Sequence, residues 1–296
     1  MKCVICGYKK FNKIKKQVRD SVSHSIATCK KCGHTQLCPL PSLSEEIKFY
    51  NSNLQSKNIS SPNDLEIIRI NSRDDIVRRA NFVSNYYGAH SRILDIGSGD
   101  GFFLQEMNGR GYNITGLEIS RERRKTSQKI TTVKVLDINL MDKMTIKDFE
   151  RFDCITLFHV LEHITGPTFF LKNIRKNFMK KNGSIIIEVP NLKDLLLSEN
   201  REYGEFYWQR AHLSYFDAKS LVKIVRKSGF SIKNICYIQR YGLENFMHWF
   251  MIKKPQIGKP SFQTNGGYRW LEDFYKKYLC NTGKSDTLIL VAKSKK

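Results

Sequence analysis

The run Ile93-Leu94-Asp95-Ile96-Gly97-Ser98-Gly99-Asp100-Gly101-Phe102-Phe103 constrains this chain more than any other stretch. A lead-in of strand character meets three alternate glycines, and apolar residues then open a helical pattern. Glycine lets the backbone turn tightly and approach a bound molecule, and the helix start behind the bend presents unpaired N–H groups. The spacing is D-x-G-x-G-x-G. It lacks the G-x-G-x-x-G order of the dinucleotide fingerprint and the Lys-Ser/Thr of a phosphate loop. Asp95, just ahead of the bend, would repel a pyrophosphate and suits a ligand with a cationic centre and hydroxyls.

Around this bend, short apolar strands alternate with amphipathic helices. Strands are expected at 92–96, 113–119, 132–138, 152–160, 184–190, 230–238 and 286–293. Helices are expected at 102–108, 121–129 and 167–179, and over AKSLVKIVRKS, with Asp217 as its N-cap and Gly229 ending it. A helical pattern at 63–87 precedes the first strand. The alternation predicts an α/β fold, a doubly wound and mostly parallel seven-stranded sheet. Residues 240–285 read as an insertion with two helices, GLENFMHWFMI and YRWLEDFYKKYL, covering a pocket or forming a dimer face.

In such a sheet ligands bind beyond the carboxyl ends of the strands, near the switch point. Those ends carry Asp95, then Glu118, then Asp137, then His159. An acid at Glu118 can accept two ribose hydroxyls, and Asp137 can accept an adenine amino group. The expected ligand is S-adenosylmethionine, contacted by Asp95, Gly97, Gly99, Asp100, Glu118, Asp137, Ile138 and His159. Transfer of its methyl group to a hydroxyl asks for a base, and His159, His163 and His212 are the candidates. The aromatic stretch NREYGEFYWQRAHLSYF suits either a substrate lid or a helical face packed on the sheet, and Arg201 and Arg210 could meet a phosphate.

Residues 1–40 read as a separate unit. Cys3-x2-Cys6 and Cys29-x2-Cys32 are two knuckles, each followed by glycine, and so short a segment cannot bury enough apolar surface to fold alone. Four thiolates around a structural Zn2+ would supply the missing stability, with His34 and Cys38 as spare ligand types. Residues 41–62 read as a linker with a short helix starting near Ser44. The formal net charge is +22. Residues 1–60 hold 11 Lys/Arg against 3 Asp/Glu and residues 251–296 hold 10 against 3, leaving only +7 in the middle. A polyanionic partner such as RNA would use those ends. The N-terminus lacks the apolar stretch of a secretory signal, and no segment has the length of a membrane span, so a cytoplasmic location is expected.

The segment 92–190 resembles the class I S-adenosylmethionine-dependent methyltransferases. Asp95, Gly97 and Gly99 match their first motif, Glu118 the ribose-binding acid and Asp137 the adenine-side acid. FHVLEHITGP resembles the VLEH-x-x-x-P signature of the subgroup that includes ubiquinone-type O-methyltransferases, and GSIIIEVPN resembles that subgroup's fifth strand. CKKCGHTQLCPLPSLSEEIKFY resembles a passage of zinc-ribbon methyltransferases associated with bacterial surface-polysaccharide and modified-sugar pathways. The resemblance implies a zinc ribbon at 1–40 and a methyltransferase domain at 63–296, with a nucleotide-linked sugar or surface-glycan precursor as acceptor. His159-x2-Glu162-His163 with His212 also resembles the E-x2-E-H…H metal arrangement of small-RNA 3′-end 2′-O-methyltransferases. RNA methylation and a non-catalytic scaffold are the alternatives.

Overall fold

Three short strands open the chain: β1 (Phe11–Lys15), β2 (Ser25–Cys29) and β3 (Thr35–Cys38). The computed structural model describes residues 2–42, 44–46, 65–141, 149–256 and 268–295. A helical turn begins at Ser44, as expected; Ser42 caps it, its hydroxyl accepting from Glu45 N–H at 3.3 Å and its N–H donating to the Glu45 carboxylate at 2.7 Å. The rest of the expected linker, from 47 to 62, lies outside the described residues.

Helix α1 (Leu65–Ser84) precedes strand β4 (Arg92–Ile96). Then follow α2 (Phe102–Gly109), β5 (Asn113–Leu117), α3 (Arg121–Ile130), β6 (Val135–Leu136), β7 (Phe152–Phe158) and a 3-10 turn at Leu161–His163. After these come α4 (Pro167–Asn177), β8 (Met179–Pro190), α5 (Leu195–Glu199), α6 (Arg201–Tyr207) and β9 (Ser214–Tyr215). The chain closes with α7 (Ala218–Lys227), β10 (Phe230–Ile238), α8 (Leu243–Ile252), α9 (Arg269–Thr282) and β11 (Thr287–Ser294).

The seven-stranded sheet runs β10-β11-β8-β7-β4-β5-β6. Every neighbouring pair from β8 to β6 is parallel. Only β11 is reversed, slotted antiparallel between β8 and β10. The chain leaves β4 toward β5 and β6, then returns to lay β7 on the other side. The crevice beyond the ends of β4 and β7 is therefore the switch point, where open α/β sheets bind ligands.

Burial explains the register. Ile93, Leu94 and Ile96 of β4, and Ile185, Ile186 and Ile187 of β8, are buried on both faces, as central strands covered by helices require. Phe103, Leu104 and Met107 on α2, and Phe170, Leu171 and Ile174 on α4, are the helical stripes that cover them. Helix α7 starts at a capping box on Asp217, and Gly229 follows it with φ +91°, as its sequence dictates.

Three expectations change. The strand expected at 132–138 shrinks to Val135–Leu136, because β6 is an edge and pairs only with Gly116 and Leu117. The strand expected from 184 begins at Met179: residues 180–183, which look like a turn, are an excursion between the Phe152↔Met179 and Cys154↔Ser184 pairings. The first 40 residues are not free-standing. Strand β3 pairs with β9, and Cys3, Ile5 and Cys29 share one apolar cluster with Phe216, Leu221 and Ile224. Among the described residues no helix is long and apolar enough to cross a membrane.

Candidate active site

The glycine bend sits where β4 ends. Gly97 has φ +75° and donates its N–H to Leu117 O at 2.7 Å. A Cβ there would lie 2.5 Å from Val160 Cγ2, so the position excludes any side chain. Gly99, with φ +57°, faces open space: a Cβ would meet nothing within 4 Å. Its N–H donates to Glu118 Oε2 at 3.0 Å. The other Glu118 oxygen accepts from Ser120 N–H at 2.8 Å. Bend and acid are thus locked together beside a cradle that can receive a ribose.

The other acids take different stations. Asp137 is two-thirds exposed and paired with Arg124 at 2.6 Å, while the same guanidinium donates to Glu118 O at 2.7 Å. Arg124 therefore staples the tip of β6 to the tip of β5. Asp100 is half-buried within the bend, and burial pushes its carboxyl up against the opposing pull of Arg123. Ile138 packs on the main apolar cluster. Asp95 is buried under the bend and accepts from Thr156 Oγ1 at 2.6 Å.

His159 follows β7 in a left-handed conformation, φ +56°, which costs a non-glycine residue of order 1 kcal/mol. Its Nδ1–H donates to Glu162 Oε1 at 3.1 Å, and its Nε2 lies 3.2 Å from Glu188 Oε1 and 3.1 Å from the Arg240 guanidinium. Burial alone lowers an imidazole's pKa. The hydrogen bonds to the two carboxylates outweigh it and the opposing Arg240, so His159 is held above its ordinary range. Glu188, fully buried, also accepts from Arg78 at 2.9 Å and Arg79 at 2.6 Å. Arg240 donates to Asp75 through Nε at 2.9 Å. Sequence reasoning missed Asp75, Arg78, Arg79, Glu188 and Arg240. Only Glu188 left a signal, as a lone acid inside the apolar run SIIIEVP.

Glu162, His163 and His212 come together, with a ligand atom of each within 4.8 Å of the others. His163 Nδ1–H donates to Ala211 O at 2.8 Å, which leaves Nε2 as a lone pair. Burial lowers His163 and takes His212 down to about 3, so both rings are neutral at physiological pH. Against the upward push of burial, His159 and the other imidazoles hold Glu162 at about 2. Its Oε2 is buried with no hydrogen-bond partner among the described residues, as is the hydroxyl of nearby Tyr207. These donors fit a divalent cation: one carboxylate, two neutral imidazoles, and an oriented second nitrogen on His163.

The sequence of residues 69–234 matches the profile of a family described as Methyltransferase domain. The chain belongs to that methyltransferase family. Among curated relatives, the ubiquinone biosynthesis O-methyltransferase of Glaesserella parasuis serovar 5 is 29% identical over 109 residues, covering 34% of this chain and 45% of the relative. That of Pelagibacter ubique is 27% identical over 157 residues, covering 49% and 63%. The chain thus spans about half the length of the curated relatives it matches. Among solved structures, a SAM-dependent methyltransferase from Archaeoglobus fulgidus aligns with TM-score 0.52 at 18% identity, covering 75% of this chain and 95% of that one. The Burkholderia thailandensis 1,6-didemethyltoxoflavin-N1-methyltransferase, solved with S-adenosylhomocysteine, aligns with TM-score 0.53 at 13% identity, covering 97% and 100%. The fold is the Rossmann-like methyltransferase fold.

Burial pushes the Asp95 carboxyl of this methyltransferase up to about 7, with the Thr156 hydroxyl and Arg79 pulling the other way. Were the sulfonium and ammonium of S-adenosylmethionine to sit beside Asp95, they would favour its ionised form, and below pH 7 a proton would have to leave as that cofactor enters. Cofactor affinity should therefore rise by up to about tenfold per pH unit below 7 and level off above it. Calorimetry between pH 5.5 and 8.5 reads that slope, and Asp95→Asn should flatten it.

At the other end of the methyltransferase, Cys3 and Cys32 sulfurs lie 3.5 Å apart and those of Cys6 and Cys29 3.6 Å, with all four within 4.8 Å. Four thiolates about 2.3 Å from a tetrahedral zinc would be about 3.8 Å apart, so the donors fit that ion. The knuckles repeat each other. Gly7 N–H donates to Cys3 O and Gly33 N–H to Cys29 O; Cys3 N–H donates to Tyr8 O and Cys29 N–H to His34 O. The spare ligand types stand aside: His34 lies 3.3 Å from Ser214 Oγ and Cys38 faces Gln36 O.

One further expectation changes, and the aromatic stretch takes the second of its two readings. Arg210 is not turned to a phosphate; it is buried in an ion pair with Glu46. The aromatic stretch packs inward: Tyr203 meets Trp249 at 5.1 Å and Trp208 meets Tyr215 at 4.8 Å, ring to ring. It is a wall of the fold and not a lid.

Proposed function

We propose that this enzyme transfers the methyl group of S-adenosylmethionine to an oxygen of a small hydroxylated metabolite in the crevice beyond β4 and β7. The observation that carries the reading is the contact of Gly97 with Val160, which sets the cofactor bend directly against the loop bearing His159, Glu162 and His163. Glu118 takes the ribose hydroxyls, Asp137 the adenine amino group, and Asp95, Asp100 and Ile138 complete the cofactor contacts. The sulfonium already activates its methyl group, so the protein's task is to aim an oxygen at that carbon and remove a proton.

Without a bound cation, neutral His163 accepts that proton on Nε2, since its Nδ1–H is committed to Ala211 O. A divalent cation bound by Glu162, His163 and His212 would lower the pKa of an acceptor hydroxyl. His159, with both ring nitrogens engaged, holds Glu162 in place and keeps its own proton. The oxygen acceptor is supported by the O-methyltransferase name of the relatives. The narrower acceptor, a nucleotide-linked sugar or surface-glycan precursor, rests on the resemblance of the N-terminal segment alone. The four cysteines hold a structural zinc.

Methyl-labelled cofactor incubated with a cell extract, then split into RNA, glycan and small-molecule fractions, tests the reading. Label is expected among the small molecules; label confined to RNA overturns the acceptor class. On the active fraction His159→Ala, which frees Glu162 to shift, should lower turnover about 100-fold while cofactor affinity stays within about twofold. Wild-type turnover would remove His159 from the mechanism.

A further inference from the structure

We propose that the N-terminal module is a working part of the acceptor site: Arg19 and Asp20 position His212 against Glu162 and His163. The inference rests on reading that cluster as the acceptor side. The segment from Phe206 to Leu213 hangs between two bodies. On the module side, Arg19 donates through its N–H to Trp208 O at 3.0 Å, and through its guanidinium to Phe206 O at 2.9 Å and Gln209 Oε1 at 2.8 Å. The same guanidinium lies 4.2 Å above the Phe206 ring. Asp20 Oδ1 accepts from Arg210 N–H at 2.7 Å, and Leu37 N–H donates to Leu213 O at 3.1 Å. On the sheet side, Leu213 N–H donates to Glu162 O at 2.8 Å, and Ala211 O accepts from His163.

The decisive link is the Gln209 amide. Its oxygen accepts from Arg19, so its NH2 must face the other way, where it lies 3.1 Å from Nε2 and 3.3 Å from Nδ1 of His212. An amide can turn over and exchange donor for acceptor; Arg19 forbids it. Arg19 thereby holds a donor, and never an acceptor, against the edge of the His212 ring, and with it the ring's place beside Glu162 and His163. A module that lost its fold would release Gln209 and His212 together, while the glycine bend and Glu118, bonded to Leu117, Gly99 and Ser120, would keep their partners.

The test uses the full chain, labelled at histidine Cε1, with His212→Ala assigning the His212 resonance. Arg19→Ala should shift or broaden that resonance and lower methyl transfer into the active extract fraction about tenfold, with cofactor affinity by calorimetry unchanged. Arg19→Lys, which keeps a charged donor, should restore part of the turnover. Lys16→Ala, the loss of an exposed neighbouring charge, should match wild type. Should Arg19→Ala fail to fold, Gln209→Ala breaks the same relay. An unmoved His212 resonance with wild-type turnover overturns the proposal. A wild-type chain that transfers no methyl group sinks the proposed function instead, and the His212 resonance then decides the positioning claim by itself.

Discussion

A Cys29→Ser chain should lose its zinc and melt about 6 °C lower than wild type. Cys29 is buried where β2 ends, inside the cluster that also holds Ile5 and Phe216. The serine hydroxyl is a poor zinc ligand and would sit among apolar atoms without a partner. Structural zinc contributes about 10–16 kcal/mol of apparent binding energy in small modules that fold only with metal. Here part of the module is held by packing on α7 and by the β3–β9 pairing, so the net loss is smaller, about 4 kcal/mol, which for a chain this size moves Tm by about 6 °C. Zinc analysis of the purified chain and scanning calorimetry check both numbers. Cys38→Ser is the matched control, since Cys38 lies outside the four-sulfur cluster and should leave zinc in place. Full zinc retention by Cys29→Ser would refute the ligand set.

The reach of sequence reasoning follows from how local each signal is. The bend at Gly97–Gly101, the cap at Asp217 and the stop at Gly229 are dictated by backbone geometry over a few residues, and each stands where its residues put it. The acids at 95 and 118 could be placed because a parallel strand's end is marked by the loss of apolar residues. Edge position is not local: Val133 and Lys134 have strand composition, yet β6 has one neighbour and frays to two residues. The His159 network was invisible for the same reason. Asp75, Glu188 and Arg240 come from a helix, a central strand and the insertion after β10, and only the fold brings them together. The error at residues 1–40 has a related cause. Cysteine spacing reveals a metal module, but the apolar faces of Ile5 and Leu37 do not say whose surface will cover them.

Glu118→Ala should weaken cofactor binding about 1000-fold with the fold retained. Each carboxylate oxygen accepts one backbone N–H, from Gly99 and from Ser120, and keeps a lone pair for a ligand hydroxyl. Hydrogen bonds to a charged group are worth about 1.5–3 kcal/mol each, and the pair of ribose hydroxyls would lose two of them. Truncation also unlatches Gly99, whose left-handed turn then has one tether fewer, so the cradle must be reordered at the cofactor's expense. Glu118→Gln keeps the shape but turns an NH2 toward a backbone N–H, and should fall between. Asp137 supplies the contrast. Its side chain is two-thirds exposed and Arg124 already shares it, so solvent competes for the bond to the adenine amino group. Asp137→Ala should cost less than about tenfold. Calorimetric titration of the three variants reads the order directly, and a Glu118→Ala chain that binds the cofactor as wild type does would dissolve the cradle.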